Sequence, residues 1–335
     1  MLSKGNTSPM FFRILARFPQ NFTFCFAYGS GVKQQIGYDS PSKKKNMIDM
    51  VFTVDNSHRW HSSNLEKNPE HYSGMRVFGS SFIANYQERL GAKVFFNTLI
   101  PIPEENIIIK YGVVSTKDLM EDLNNWSSLY LAGRLHKPVE IIRTASSSKI
   151  QNSIESNLKT ALHAALLVLP ENFTEFELYR EISNLSYAGD FRMIFGENKS
   201  KVDNIVRPQL ENFRNLYEPA LKNLKNVLYL PKATSDNTIC TQDLTEQTIL
   251  NHLNQLPKWP VRLIVQQQTK GRYRQDAEDI LTALSKSSNY REIVSRSLRS
   301  IVWQSSVKQS LKNIPSAGFS KSIKYSWAKA LKTFD

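Results

Sequence analysis

The chain has 335 residues, of which 41% are hydrophobic and 22% are charged, a composition that predicts packed globular domains rather than a disordered chain. Its formal net charge is +13, and residues 286–335 carry ten Lys and Arg residues against two acidic residues. No apolar run reaches the ~18 to 20 residues that span a bilayer, so the sequence predicts no transmembrane helix.

The first 38 residues contain four basic residues and no acidic residue. Within them, "MFFRILARF" is able to form a short basic amphipathic helix. Mitochondrial targeting segments have this character, but the first structural helix of a domain has it too, and both interpretations stay open. The two cysteines, Cys25 and Cys240, lie far apart in the sequence. We therefore expect no disulfide and a reducing compartment such as the cytosol or the mitochondrial matrix.

Strand and helix patterns alternate up to about residue 145. Strands are predicted at "NFTFCFAY", "MIDMVFTVD", "AKVFFNTLI" and "IIIKYGVVS", and helices at "RWHSSNLEKN" and "SSFIANYQERLG". Strands joined by helices indicate an α/β domain with a mixed sheet, which we assign to residues 1–145.

A Ser-rich junction at 143–149 precedes a helical pattern. The segment "IQNSIESNLKTALHAALLVL" has helical periodicity, and Thr174 is the predicted N-cap of the helix that follows. The span 226–270 contains three prolines and a short strand candidate, "VRLIVQQ". We assign residues 150–255 to a mainly helical domain and residues 256–335 to a C-terminal region.

The first strand ends in the turn Gly29–Ser30–Gly31, and the second strand carries Asp49. This layout resembles the DNA polymerase β nucleotidyltransferase superfamily. There, glycines admit phosphates, the Ser hydroxyl and backbone amides donate to phosphate oxygens, and carboxylates hold Mg²⁺. Members typically have two acids on that strand, whereas Met47 stands here in place of the first. Asp55 lies roughly 20 Å further along the strand and is too distant to share the metal.

Several blocks carry a more specific resemblance, in order along almost the whole chain. They are "YGSGV", "MIDMVFTVD", "WHSSNLEKNPEHYS", "IKYGVVSTKDLMEDLNNWSSLYLAGRLHKPV", "LSYAGDFRM", "KVDNIV" and "SSVKQSLKNIPSAG". The chain thereby resembles the mitochondrial translocator assembly and maintenance family of peripheral CDP-diacylglycerol synthases. The resemblance implies a nucleotidyltransferase domain, a winged-helix-like domain, Mg²⁺, CTP, phosphatidic acid and the matrix face of the inner mitochondrial membrane, in the pathway to cardiolipin. It also implies nucleotide or headgroup contacts for His61 and Asn64.

Further candidates come from local chemistry. Lys33 follows the turn, and Lys110 interrupts an apolar strand, where a charge is costly unless it is paired or faces a ligand. Asp190 in "AGDFRM" is our candidate for the missing acid, as a second metal ligand. Phosphate binding is the predicted role of four other basic residues, Arg134, Lys137, Arg192 and Lys201.

The acceptor of the nucleotidyl group is open to alternatives. The turn and Asp49 suit a nucleotidyltransferase that acts on RNA or protein equally well, and the loss of an acid at Met47 suits a non-catalytic scaffold. The C-terminal segment favours a lipid, because "SKSIKYSWAKALKTF" forms an apolar stripe backed by lysines when drawn as a helix. Such a helix is typical of binding to an anionic membrane surface. We therefore expect no nucleic-acid partner.

Overall fold

The N-terminal region alternates strands and helices, as its sequence predicts. The computed structural model describes residues 8–32, 47–195, 200–231, 238–269 and 276–317, with the side chains of 194, 195, 316 and 317 left aside. Its first elements are α1 (Pro9–Ala16), β1 (Phe24–Tyr28), β2 (Ile48–Val54), α2 (Ser57–Lys67), a 3₁₀ segment (Pro69–Phe78), α3 (Gly79–Arg89), β3 (Phe95–Ile102), β4 (Ile107–Ser115), α4 (Thr116–Asn125), α5 (Ala132–Leu135) and β5 (Glu140–Arg143).

Five strands form one mixed sheet in the order β3-β4-β2-β1-β5. Strands β2 and β4 are parallel, and the other neighbours are antiparallel. In this register Tyr28 lies opposite Asp49, and Asp49 lies beside Lys110. Because paired residues point to the same side of a sheet, these three side chains share one face, which we call the site face.

Each face of the sheet has its own apolar cover. Helix α1 packs on the face opposite the site face, where Phe11, Ile14 and Leu15 are buried in a cluster with Phe52. The basic amphipathic segment near the N-terminus is therefore a structural helix of this domain. On the site face, residues such as Phe26 share one apolar core with α4 and with the helical second half of the chain.

The second half is mainly helical and includes a small antiparallel sheet of three strands in the order β6-β8-β7. Its elements are α6 (Ser148–Val168), β6 (Asn172–Thr174), α7 (Glu175–Asn184), α8 (Arg192–Phe195), α9 (Lys201–Val206), α10 (Leu210–Leu221), β7 (Leu228–Tyr229), β8 (Ile239–Gln242), α11 (Glu246–Asn254), α12 (Lys258–Thr269), α13 (Ala277–Ser285) and α14 (Tyr290–Ala317). Thr174 caps α7 in a reciprocal capping box with Glu177, as its position predicts.

The prediction of a strand at "VRLIVQQ" is wrong, because these residues lie in α12. Its apolar side chains point inward at helical spacing, with Pro260 and Ile264 buried. Proline is tolerated in the first turn of a helix, where its missing N–H has no partner to lose. Pro257 and Pro260 therefore mark the start of a helix.

The long helix α14 connects the two halves of the chain. Near its middle, a Cβ added to Gly189 would lie 2.5 Å from the carbonyl oxygen of Arg299. Further along, Gln309 accepts a hydrogen bond from the backbone of Ala92 at 2.8 Å, and the Lys312 ammonium donates to two carbonyls at the end of α3, each at 2.8 Å. Within the described ranges, no helix is both long and apolar enough to cross a membrane.

Candidate active site

The Gly-Ser-Gly turn lies at the end of β1, beside the start of β2. The amide of Val32 donates to the carbonyl of Gly29 at 3.1 Å, which closes a tight turn. Gly29 has a φ of +83°, a conformation that side chains disfavour. Gly31 lies so close to the backbone of Met47 that a Cβ would stand 2.5 Å from its carbonyl oxygen. Both glycines are therefore required by the backbone geometry, which brings the turn against β2.

Asp49 faces this turn. A Cβ at Gly29 would lie 3.3 Å from Asp49 Oδ2, so the carboxylate lies close to the turn. The ammonium of Lys110 is 3.6 Å from Asp49 Oδ1 and 4.6 Å from the ring centre of Phe96. The side chains of Lys110 and Asp49 are 13% and 22% exposed, so both remain accessible from the site face. The lysine in the apolar strand is thus paired, as the cost of burying a charge requires.

Arg134 adds a second cation to this site. Its guanidinium carbon lies 3.8 Å from the ring centre of Tyr130 and 5.1 Å from that of Tyr28, the residue opposite Asp49. Its Nη1 donates to the carbonyl of Tyr130, but its buried Nε has no hydrogen-bond partner among the described residues. A buried donor without a partner is costly, and an anionic ligand would satisfy it.

A buried carboxylate positions the loop that leads to Arg134. Asp122 Oδ1 accepts from the amides of Ser128 and Leu129 at 2.8 and 2.9 Å, and Oδ2 accepts from those of Leu131 and Ala132 at 2.8 and 3.0 Å. These four bonds hold the chain up to the first residue of α5, which carries Arg134. The sequence offers no signal for this role, because Asp122 reads there as an ordinary helix residue.

Lys137 and Lys201 extend the positive charge. Lys137 donates to Ser186 Oγ at 2.9 Å, and both lysines lie over the ring of Tyr187, with ammonium-to-centre distances of 5.1 and 5.7 Å. Burial lowers the pKa of Lys137 to about 7, and repulsion from Arg134 and Lys201 adds to this effect. A bound anion would counter both causes and favour the charged ammonium.

Asp190 is held by Arg192. Its carboxylate accepts from the Arg192 guanidinium at 2.5 Å, and from the backbone amide of the same residue at 3.0 Å. Burial raises the pKa of Asp190, but the hydrogen bonds and charge of Arg192 outweigh it and lower the pKa overall. Both oxygens are therefore engaged with Arg192, an ion pair that competes with the metal-ligand role predicted for Asp190; that role stays a prediction. Asp190 orients Arg192, and charge interactions link both residues to Arg134.

Lys110, Arg134, Lys137, Arg192 and Lys201 thus form a basic cluster beside Asp49 and the turn. The family model described as "Phosphatidate cytidylyltransferase, mitochondrial" matches residues 11–332. Proteins of the same name are 46% identical in Drosophila melanogaster (96% of this chain, 98% of the relative), 41% in Danio rerio (98% and 95%) and 40% in Schizosaccharomyces pombe (91% and 78%). The chain belongs to the mitochondrial phosphatidate cytidylyltransferase family. Members of this family are enzymes by name, so a scaffold without activity is not the interpretation that the comparisons favour.

The structure does not bring His61 and Asn64 to this phosphatidate cytidylyltransferase site. Both are fully buried on the other face of the sheet, in a hydrogen-bond network around Tyr72 and Tyr111. Tyr111 is the strand neighbour of Lys110 and therefore points away from it. Asn64 donates to both tyrosine hydroxyls at 2.9 Å, and burial lowers the pKa of His61 to about 4. In the described structure, their hydrogen-bond network contacts β4 on the face opposite the site face.

A magnesium ion fits the donors at Asp49 only as part of a nucleotide complex. Among the residues that the structure describes, no group of three His, Cys, Asp or Glu side chains is arranged to hold a metal. Mg²⁺ in phosphoryl-transfer sites is commonly bound by one or two carboxylates together with substrate phosphates and water. One accessible carboxylate beside the Gly29 turn supplies the protein part of such a site.

Two aromatic residues of the site, Tyr28 and Tyr130, are not among the residues predicted from the sequence. Tyr28 directly precedes the turn, and Tyr130 lies four residues before Arg134, a helical spacing that would have signalled their contact. Lys33, the predicted phosphate ligand after the turn, lies outside the described residues.

Proposed function

We propose that this chain transfers CMP from CTP to phosphatidic acid and forms CDP-diacylglycerol and pyrophosphate, for cardiolipin synthesis. A phosphate oxygen of phosphatidic acid attacks the α-phosphorus of CTP, and the bond from that phosphorus to the bridging oxygen breaks as pyrophosphate leaves. The observation that carries the proposal is the position of Asp49 against the Gly29 turn, with Lys110 paired to it and Arg134 over the adjacent Tyr28. The two substrates follow from the name of the relatives, phosphatidate cytidylyltransferase.

The side chains suit a reaction between two anions. Phosphatidic acid is already ionised at neutral pH, so the site needs no general base and mainly has to position the phosphates and offset their charge. The amides and the Ser30 hydroxyl of the turn donate to the nucleotide phosphates. Lys110 and Arg134 offset charge near Asp49, while Lys137, Arg192 and Lys201 offset it farther along the basic cluster.

Mg²⁺ is the proposed cofactor, with Asp49 as its protein ligand. When bound, the ion would withdraw charge from the triphosphate and favour departure of pyrophosphate. The proposed architecture is a nucleotidyltransferase domain at residues 1–145, a winged-helix-like domain at 150–255 and a C-terminal region at 256–335. The mixed sheet and the small antiparallel sheet support the first two assignments.

The proposed location is the matrix side of the inner mitochondrial membrane, as a peripheral protein without a nucleic-acid partner. The relatives are mitochondrial by name. A lipid substrate also requires access to a membrane, and the basic C-terminal segment supports an anionic lipid surface as its partner.

The test is turnover by the purified chain with Mg²⁺. We expect formation of CDP-diacylglycerol that requires CTP and phosphatidic acid together, with one pyrophosphate released per product. ATP and GTP serve as nucleotide controls, and RNA and a protein substrate as acceptor controls. Equal use of all three nucleotides, or pyrophosphate release that ignores phosphatidic acid, would contradict the proposal.

The C-terminal tail gives a separate prediction, although it lies outside the described residues. On a helix, Ile323, Trp327, Ala330, Leu331 and Phe334 share about one third of the circumference. We expect Trp327→Glu with Leu331→Glu, or deletion of 320–335, to lower vesicle binding and activity on bilayer phosphatidic acid, but not activity on a short-chain soluble substrate. Ser322→Glu with Thr333→Glu adds the same charge off the stripe and is the control. An equal loss on the soluble substrate would assign the tail to the fold.

A further inference from the structure

Large apolar side chains are exposed on two neighbouring elements of the described structure. On the 3₁₀ segment and α3, Val77 is 76%, Phe78 58% and Phe82 42% exposed. Close to the end of α14, Leu311 is 63% and Ile314 46% exposed. We call these five residues the aromatic edge. Single exposed apolar residues are ordinary, whereas several on adjoining elements are a feature of binding surfaces.

Contacts with Tyr86 join the two parts of this edge. Phe78 stacks on Phe82 with ring centres 4.8 Å apart, and Phe82 stacks on Tyr86 at 6.1 Å. The hydroxyl of Tyr86 donates to the carbonyl of Lys312 at 2.8 Å. Lys312 stands between Leu311 and Ile314, so the ring ladder and the end of α14 are held side by side.

The edge is attached to a rigid base. The inner end of the ladder reaches Phe95, a fully buried residue of β3 whose ring centre is 6.3 Å from that of Tyr86. The buried ammonium of Lys312 donates to the carbonyls of Gln87 and Leu90, which fixes α14 against α3. Rings held by such contacts lose little conformational freedom when they enter another apolar medium.

The surrounding charge favours an anionic occupant. Arg76 and Arg89 on the first part and Lys308 on α14 are exposed, against the exposed acidic residues Glu70 and Glu88, so cations are in the majority. From residue 293 to residue 334 the sequence has eight Lys and Arg residues and no acidic residue. A basic tail folded over this edge would meet like charges, whereas an anionic lipid surface would meet opposite ones.

We propose that the aromatic edge inserts into the interface of the anionic bilayer that supplies phosphatidic acid. This inference rests on the proposed function for its choice of membrane, and it concerns a surface separate from the C-terminal tail. Aromatic and aliphatic side chains flanked by cations are the chemistry that the bilayer interface accepts.

The experiment uses the full chain and flotation with mixed vesicles of phosphatidylcholine and phosphatidylglycerol. Phe78→Ser with Leu311→Ser removes two exposed apolar side chains, one of them the outermost ring of the ladder, and leaves Phe82, Tyr86 and Phe95 in place. We expect vesicle binding at least about tenfold weaker than that of the wild type, from the apolar area that no longer leaves water. The control is Tyr229→Ser with Ile239→Ser, which removes side chains 68% and 58% exposed on the small sheet. It should bind as the wild type does.

Each other outcome counts against the proposal. Wild-type binding by the Phe78→Ser, Leu311→Ser variant, or an equal loss in the control, would overturn it. Faster proteolysis of the tail in that variant, without a change in flotation, would make the tail the occupant of the edge. A change in oligomeric state by sedimentation, again with flotation unchanged, would make a second copy the occupant. Turnover of short-chain phosphatidic acid in the same preparations tests the proposed activity separately, since flotation needs no CTP.

Discussion

Replacing Asp49 by Asn lowers kcat/KM for CTP by about 10² to 10³, the usual cost of losing a preorganised charge contact. The amide keeps the shape of the side chain beside Gly29 but removes the negative charge that faces the phosphate turn and Lys110. Because Asp49 also pairs with the largely buried Lys110, we expect a modestly lower melting temperature, with the protein still folded. Steady-state kinetics and thermal unfolding measure the two quantities.

Asp55→Asn is the matched control for this variant. Asp55 directly follows β2, the strand that carries Asp49, is exposed and accepts a hydrogen bond from the Thr116 hydroxyl at 2.7 Å. Its replacement removes the same charge at a distance from the turn and should leave kcat/KM within a few-fold of the wild type. Near-normal activity of a folded Asp49→Asn protein would remove Asp49 from the site.

Arg134→Gln should also reduce kcat/KM by about 10². The guanidinium is the cation that Tyr28 and Tyr130 hold in place, and its buried Nε is available to an anion. Gln retains a polar, hydrogen-bonding end but is shorter and has neither the charge nor the planar fork that binds phosphate oxygens. Expressed as a free energy, the loss in kcat/KM should exceed any change in the free energy of unfolding.

The control for Arg134 is Arg143→Gln. Arg143 also stacks on a ring, with its guanidinium carbon 3.7 Å from the centre of Phe22, and it donates to the carbonyl of Gln20. It belongs to β5, at the edge of the sheet beyond β1. If both variants lost activity to the same extent, arginine stacking in general, and not the location of Arg134, would be responsible.

Much of the sheet and of the turn is predictable, because strand periodicity and glycine are local signals. Asp49 beside Gly29 follows from two such signals in adjacent strands. The face on which His61 and Asn64 lie is not local information, since it depends on how α2 crosses the sheet. The basic cluster draws on three separate segments, and the sequence supplies its members without their arrangement. For Asp190, the ion pair with Arg192 competes with the metal role that its charge alone indicated.

The attachments of α14 also decide how the site meets its substrates. Helix α14 has 28 residues and packs against Gly189, the residue before Asp190. Its later turns hydrogen-bond to the end of α3 and to the residues that lead into β3. Because Gly189 has no side chain, the backbone of that loop packs directly against the backbone of the helix. The segment that carries Arg192 and the sheet that carries Asp49 are therefore both attached to α14. Little reorganisation is left to be done when the charged substrates arrive, and binding energy remains for the transition state.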